Sequence, residues 1–104
     1  MPKRSPPVFP RLERQLEQLG ARLCAARRRR RMTQATLAAR ADVSVPTVRK
    51  LEKGDPTSSL ATLARALQVL GLNADLDEIA SNDELGRKLQ DIHQVGPPRT
   101  GGGS

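Results

Sequence analysis

The chain contains no tryptophan and no tyrosine, and Phe9 is its single aromatic residue. Single-stranded nucleic acid is held largely by stacking bases on aromatic rings, so this composition argues against single-strand or loop RNA recognition and leaves duplex recognition by helices open. Cys24 is the one cysteine and can close no disulfide within the chain. It reads as a small, half-buried helix residue rather than a nucleophile, and it suits a reducing compartment. The one histidine, His93, falls on a polar stretch near the chain end, and no Cys or His cluster has metal-ligand spacing. No metal and no histidine base are therefore expected. The glycines at 101–103 neither follow a strand nor open a helix, so they do not form a phosphate loop. The expectation is a protein that is not an enzyme and takes no cofactor.

Long apolar runs are also missing. No segment approaches the roughly 20 apolar residues that cross a bilayer. The opening "MPKRSPPVFP" is basic but lacks the apolar centre of a signal peptide. The arginine-rich stretch has no apolar anchor beside it that would make it a membrane patch. The expected location is the cytoplasm. Strand-like alternation is absent throughout, which points to an all-α fold.

What the chain does have is positive charge. Lys and Arg number 18 against 11 Asp and Glu in 104 residues, for a net charge of +7 and a pI near 11.0. An anionic partner is implied, and nucleic acid is the first choice. The charge is unevenly placed: residues 1–72 carry 15 basic and 5 acidic side chains, residues 73–104 carry 3 and 6. Such asymmetry implies two surfaces with different partners.

Residues 1–10 hold four prolines and residues 95–104 read "VGPPRTGGGS", so both ends (1–10 and 94–104) are expected to be flexible tails. Between them, Leu12, Leu16, Leu19, Leu23 and Ala26 recur at steps of three and four and mark a first helix over about 11–31. Thr33 suits the N-cap of a short second helix burying Leu37, Ala38 and Ala41, ending near Asp42. Ser44 suits the cap of a third, in which Pro46 is tolerated because first-turn amides lack intrahelical partners. Val48 and Leu51 are its inner face, and Gly54 supplies its stop. Ser58 or Ser59 opens a fourth helix with Leu60, Leu63, Leu67 and Leu70 in one stripe, closed by Gly71. A short helix over about 75–80 and another over about 82–92 complete the series, the last with Ser81 and Glu84 as a capping box.

The stretch Met32 to Gly54, "MTQATLAARADVSVPTVRKLEKG", is thus a short helix, a tight turn and a second short helix. A helix of that size fits the major groove of B-DNA. The residues resemble the XRE (Cro and phage-repressor-like) helix-turn-helix family in the Thr-Gln opening, the small Ala38, the Ser44 cap, the apolar Val48 and Leu51, and the closing Glu52 and Gly54. The resemblance covers about 19–72. It implies a compact helical bundle with a lambda-repressor-like helix-turn-helix over 11–72 and a short acidic helical extension over 73–93. It implies that Gln34 clamps the DNA backbone and buttresses the reading helix. Ser44, Val45, Pro46, Thr47, Arg49, Lys50 and Lys53 then fall at the DNA, where Thr47 and Lys50 can supply hydrogen bonds and Val45 and Pro46 only apolar contact. Two positions depart from the family pattern: the Val-Pro opening of the reading helix, where phage-repressor relatives have amides, and Asp42, where glycine is usual. Asp tolerates a positive φ better than most residues, so the turn is expected to survive.

Five consecutive arginines, Arg27 to Arg31, cannot share one helix face, because successive residues step about 100° around the axis. Arg27 lies four residues after Leu23 and so on the inward stripe, and the family resemblance pairs it with Glu52. Arg28, Arg29 and Arg31 are left for solvent, phosphates or the helix C-terminus, while Arg30 is expected to lay its aliphatic stem along the core edge. In the acidic segment, Leu76, Ile79, Leu85, Leu89 and Ile92 form short apolar stripes that need cover, and a homodimer or partner contact is the expected use. "VRKLEKGDPTSSLATLARALQVLGL" followed by "DELGRKLQD" resembles antitoxins of HipB type. That implies a dimer that binds operator DNA, represses its own operon and neutralises a HipA-like kinase toxin. A stand-alone XRE regulator is the alternative, and an interaction adaptor with no DNA-binding role a more distant one.

Overall fold

The computed structural model describes residues 9–93. The expected tails therefore lie outside the described residues, apart from Phe9 and Pro10. Five α-helices follow in order, α1 (Pro10–Arg29), α2 (Gln34–Ala41), α3 (Val45–Glu52), α4 (Leu60–Leu70) and α5 (Glu84–His93), with a 3-10 turn at Asn73–Asp77. Among the described residues there is no strand. The fold is all-α, a helical bundle with a helix-turn-helix at its centre.

Local chemistry sets most boundaries. The side chains of Thr33, Ser44 and Ser59 accept the backbone N–H of Thr36, Thr47 and Thr62 at 3.0, 3.2 and 3.0 Å, starting α2, α3 and α4. Each hydroxyl satisfies one of the donors that a helix start leaves free. Gly71 ends α4 at φ 74° and Asp42 ends α2 in the left-handed region at φ 59°, ψ 46°.

Four features differ from the expectation. First, α1 stops at Arg29 because the chain turns at Arg30 and Arg31, the latter at φ 55°. Second, Arg30 is exposed, and its Nη1 donates to the Ala26 carbonyl at 2.9 Å instead of lying along the core. Third, the helix expected over 75–80 is replaced by the 3-10 turn, after which Ala80 takes φ 60°. Fourth, the capping box does not form: Asp83 accepts the Gly86 N–H at 2.9 Å, and Ser81 donates its hydroxyl to the Glu78 carbonyl. Asp83 immediately precedes α5 and outcompetes a serine two residues further away.

The core is in two parts. Leu23, Ala26, Leu51, Ala66, Leu67 and Leu70 join α1, α3 and α4. Leu37, Ala38 and Val48 lock α2 to α3, with Val43, Val45 and Val69 packed around them. Gly20 allows the backbone of α1 to pass against the end of α3: a Cβ there would lie 2.5 Å from the Glu52 carbonyl oxygen and 2.7 Å from the Gly54 nitrogen. Gly54, at φ 75°, meets the Leu16 backbone from the other side. Among the described residues, those after Leu72 contribute nothing buried.

Candidate nucleic-acid interface

Helix α3 buries Val48 and Leu51 and leaves Pro46, Arg49 and Lys50 exposed on the opposite side, with Lys53 exposed just past its end. Periodicity decides this split: residues at steps of three share a face, so the inner pair dictates which residues face out. Val45 is only half exposed, since part of it packs on the Leu37, Ala38 and Val48 cluster. Ser44 holds the helix start, and its hydroxyl lies 2.7 Å from that of Thr47. These two groups are therefore already engaged with one another. The outward cations of the helix and its end are Arg49, Lys50 and Lys53.

Helix α3 is anchored at its other end by an ion pair with almost no solvent exposure. Arg27 Nε lies 2.6 Å from Glu52 Oε2, and the two side chains are 7% and 5% exposed. Arg27 Nη2 donates to Glu52 Oε1 at 3.0 Å, completing a two-pronged contact. Nη1 donates to the Met32 carbonyl at 2.7 Å, and Nη2 also reaches the Cys24 sulfur at 3.5 Å. Gln34 Nε2 donates to Glu52 Oε1 at 3.0 Å. One carboxylate thus ties α1, the start of α2 and the end of α3 together.

Burial pushes the Glu52 carboxyl up, but hydrogen bonds from Arg27 and Gln34 and the charge of Arg27 outweigh it and hold the group below its ordinary value of 4.5. The hydrogen bond to Glu52 raises the Arg27 guanidinium in turn. Asp55, in the turn after α3, is also held low, by hydrogen bonds from the Thr57 hydroxyl and backbone N–H at 2.7 and 2.8 Å.

Three features of this region are not apparent from residue type. Met32 contributes a carbonyl to the Arg27 cluster, although its side chain is an ordinary core neighbour. Arg28 and Arg29 border an open depression with Cys24 and Glu52, so exposed arginines of α1 flank the end of α3. Arg65 of α4 approaches the Asp42 carbonyl at 3.4 Å across the turn. The last two depend on where one helix passes another. The expected partner-contact residues are all exposed: Leu76 37%, Ile79 64%, Leu85 68%, Leu89 44% and Ile92 71%.

A pair of short capped helices, the second laid across the first with a cationic outer face, defines a helix-turn-helix module of the kind that places its second helix in the major groove. A family profile described as a helix-turn-helix domain matches residues 18–79, more than half of the chain, and the chain belongs to that family. No curated protein and no solved structure gives a significant match. No described helix is long and apolar enough to cross a membrane.

Proposed function

We propose that this chain is a sequence-specific DNA-binding antitoxin that represses its own operon as a homodimer and neutralises a HipA-like kinase toxin in the cytoplasm. Residues 11–72 are the DNA-binding domain, and 73–93 the segment for dimer or partner contact. The observation that carries the DNA-binding part is the outward face of α3, with Arg49, Lys50 and Lys53 exposed on a helix fixed at both ends, by the Ser44 cap and by the Glu52 cluster. A rigid mount matters because base readout needs hydrogen-bonding groups held in register with the groove. Lys50 and Thr47 are assigned to base edges or phosphates, Pro46 and the exposed part of Val45 to apolar contact such as thymine methyls, and Gln34 to the backbone as well as to Glu52. The antitoxin part is supported by the resemblance of residues 48–91 to HipB-type chains and by the unpartnered apolar residues of the acidic segment.

The test is to express the protein with its genomic neighbours, purify whatever it retains, and run mobility shifts of the recovered species on its own upstream DNA. A stoichiometric kinase-like partner together with a shifted fragment supports the full reading. A shift without a partner leaves a stand-alone regulator, and no shift at low salt leaves an interaction adaptor. Lys50→Ala is expected to weaken specific binding by about 1–3 kcal/mol with the fold intact. Equal affinities of variant and parent across a salt series would remove Lys50 from the interface.

A further inference from the structure

We propose that the outer face of α1 holds a second DNA duplex by its phosphates, so that the protein joins two DNA segments. The inference rests on the DNA-binding reading above and adds a surface to it. Arg11, Gln15, Gln18, Arg22, Ala25 and Arg29 follow one another at alternating steps of four and three, which places them in a single stripe along the helix. All are exposed except Ala25, which is half-buried. The stripe runs for about 27 Å at 1.5 Å per residue, which approaches the roughly 34 Å of one turn of B-DNA. Gly20 and Arg27, where α1 meets the end of α3, lie nearly opposite the stripe around the helix axis. The body of α1 therefore stands between the stripe and α3, and a duplex seated on α3 does not reach both.

The stripe bears one sign of charge. The two carboxylates of α1, Glu13 and Glu17, fall outside it, and among the described residues the arginine that forms an ion pair is Arg27. Arg11, Arg22 and Arg29 are left uncompensated. A solvated helix face is stabilised when the two signs alternate at spacings of three and four, which this stripe does not do. Arg29 suits the helix dipole at the C-terminal end, but Arg11 stands at the N-terminal end, where the dipole disfavours a cation. Helix stability therefore does not account for the stripe, whereas an anionic partner does. Guanidinium groups offer phosphate oxygens two parallel N–H donors, and the intervening glutamine amides add further donors. Arginines set eleven and seven residues apart along a helix meet a repeating polyanion better than a single ion. The stripe has no aromatic side chain on which unpaired bases could stack, so the polyanion is double-stranded and its sequence is not read. The acidic segment of a second copy is the competing anion, but its exposed Leu76, Ile79 and Leu85 need apolar cover, which the stripe does not offer.

The test is a bridging assay on the full-length chain. The upstream DNA fragment is fixed to beads and saturated with protein at about 0.15 M salt, where charges more than about 8 Å apart are screened, and a labelled random-sequence duplex is then added. The parent is expected to capture the labelled duplex. The double variant Arg11→Glu with Arg22→Glu, at exposed positions outside the core, is expected to capture at least tenfold less while shifting the upstream fragment as the parent does. Arg87→Glu with Lys88→Glu has the same net charge and is expected to bridge like the parent; equal loss there would overturn the stripe in favour of net charge alone. A shifted upstream fragment with no capture by the parent overturns the second surface while the DNA-binding reading stands, and no shift of either duplex overturns that reading itself. Undiminished capture by the Arg11 and Arg22 variant places the bridge elsewhere and overturns the proposal. So does a parent that sediments as a dimer while that variant sediments as a monomer, because the stripe then holds protein.

Discussion

At the residue scale the decisive group is Glu52, because it receives Arg27 and Gln34 at once and sits at the end of the reading helix. A carboxylate whose proton affinity is lowered by folding stabilises the folded state above its unfolded pKa, and that contribution disappears as pH falls through the lower folded value. Glu52→Gln is thus expected to cost about 3–5 kcal/mol near neutral pH, since Arg27 keeps its charge in a site with almost no solvent. The gap between parent and variant in urea unfolding should narrow steadily as pH drops below the ordinary carboxyl value of 4.5. A gap that stays constant with pH would show that Glu52 acts by shape alone. Asp55 titrates in the same sense, so the comparison with the variant, rather than the parent curve, isolates Glu52. Asp42 offers a change of opposite sign. It holds φ 59° with a Cβ in place, and Asp42→Gly is expected to stabilise the chain by about 0.5–1 kcal/mol. A higher urea midpoint at unchanged slope would register it.

At the element scale the crossing of α1 and α3 sets where α3 points. The crossing is close because Gly20 and Gly54 present no side chain to the opposing backbone. Gly20→Ala puts two effects in competition. Alanine favours an isolated helix over glycine by about 1 kcal/mol, but here its Cβ would lie 2.5 Å from a carbonyl oxygen that the helix end cannot easily move. Overpacking of this kind costs about 1–3 kcal/mol, so a net loss of stability is expected, accompanied by weaker DNA binding as α3 shifts. A more stable variant with parental affinity would mean that the crossing does not set the interface. The helix starts are more forgiving: loss of the Ser44 hydroxyl in Ser44→Ala should cost about 1 kcal/mol, the usual worth of a cap, read from the same unfolding curves.

At the scale of the whole molecule, the proposed function gives the positive body and the acidic segment different partners. On that reading the positive charge would draw the chain to DNA from solution, and phosphate contacts would release counterions. If each copy of a dimer engages Arg49, Lys50 and Lys53, the slope of log K against log salt is expected near about −5, against about −3 for a single copy. Titrating operator fragments at several salt concentrations distinguishes the two. The acidic segment would be repelled by the same phosphates, which favours its facing away from the duplex and toward protein.

Much of this molecule is determined locally, and those parts could be read from the residues alone. Thr33, Ser44 and Ser59 cap helices because a hydroxyl reaches an amide only three residues away, and Gly71 ends one because it lacks a Cβ. The inward placement of Arg27 follows from helical spacing and the identity of its partner from family resemblance, while the full set of groups around its guanidinium does not follow from either. The Cys24 sulfur, one turn back on α1, and the Met32 carbonyl, in the turn just after it, reach the guanidinium locally, whereas Gln34 meets the Glu52 carboxylate only because the start of α2 and the end of α3 converge. In the same way a glycine in the middle of α1 looks like a weakness until the end of α3 is placed against it. The left-handed turn at Arg31 and the choice of Asp83 over Ser81 as a cap had near-equivalent local alternatives. Sequence by itself determined the four helices α1 to α4 to within a few residues, their inner faces and the charged outer face of α3, since each depends on contacts within a few residues. Only the tertiary structure decided how closely the helices cross, which polar groups meet at Glu52 and which apolar faces are left for a partner, since those depend on distances between segments far apart in the chain.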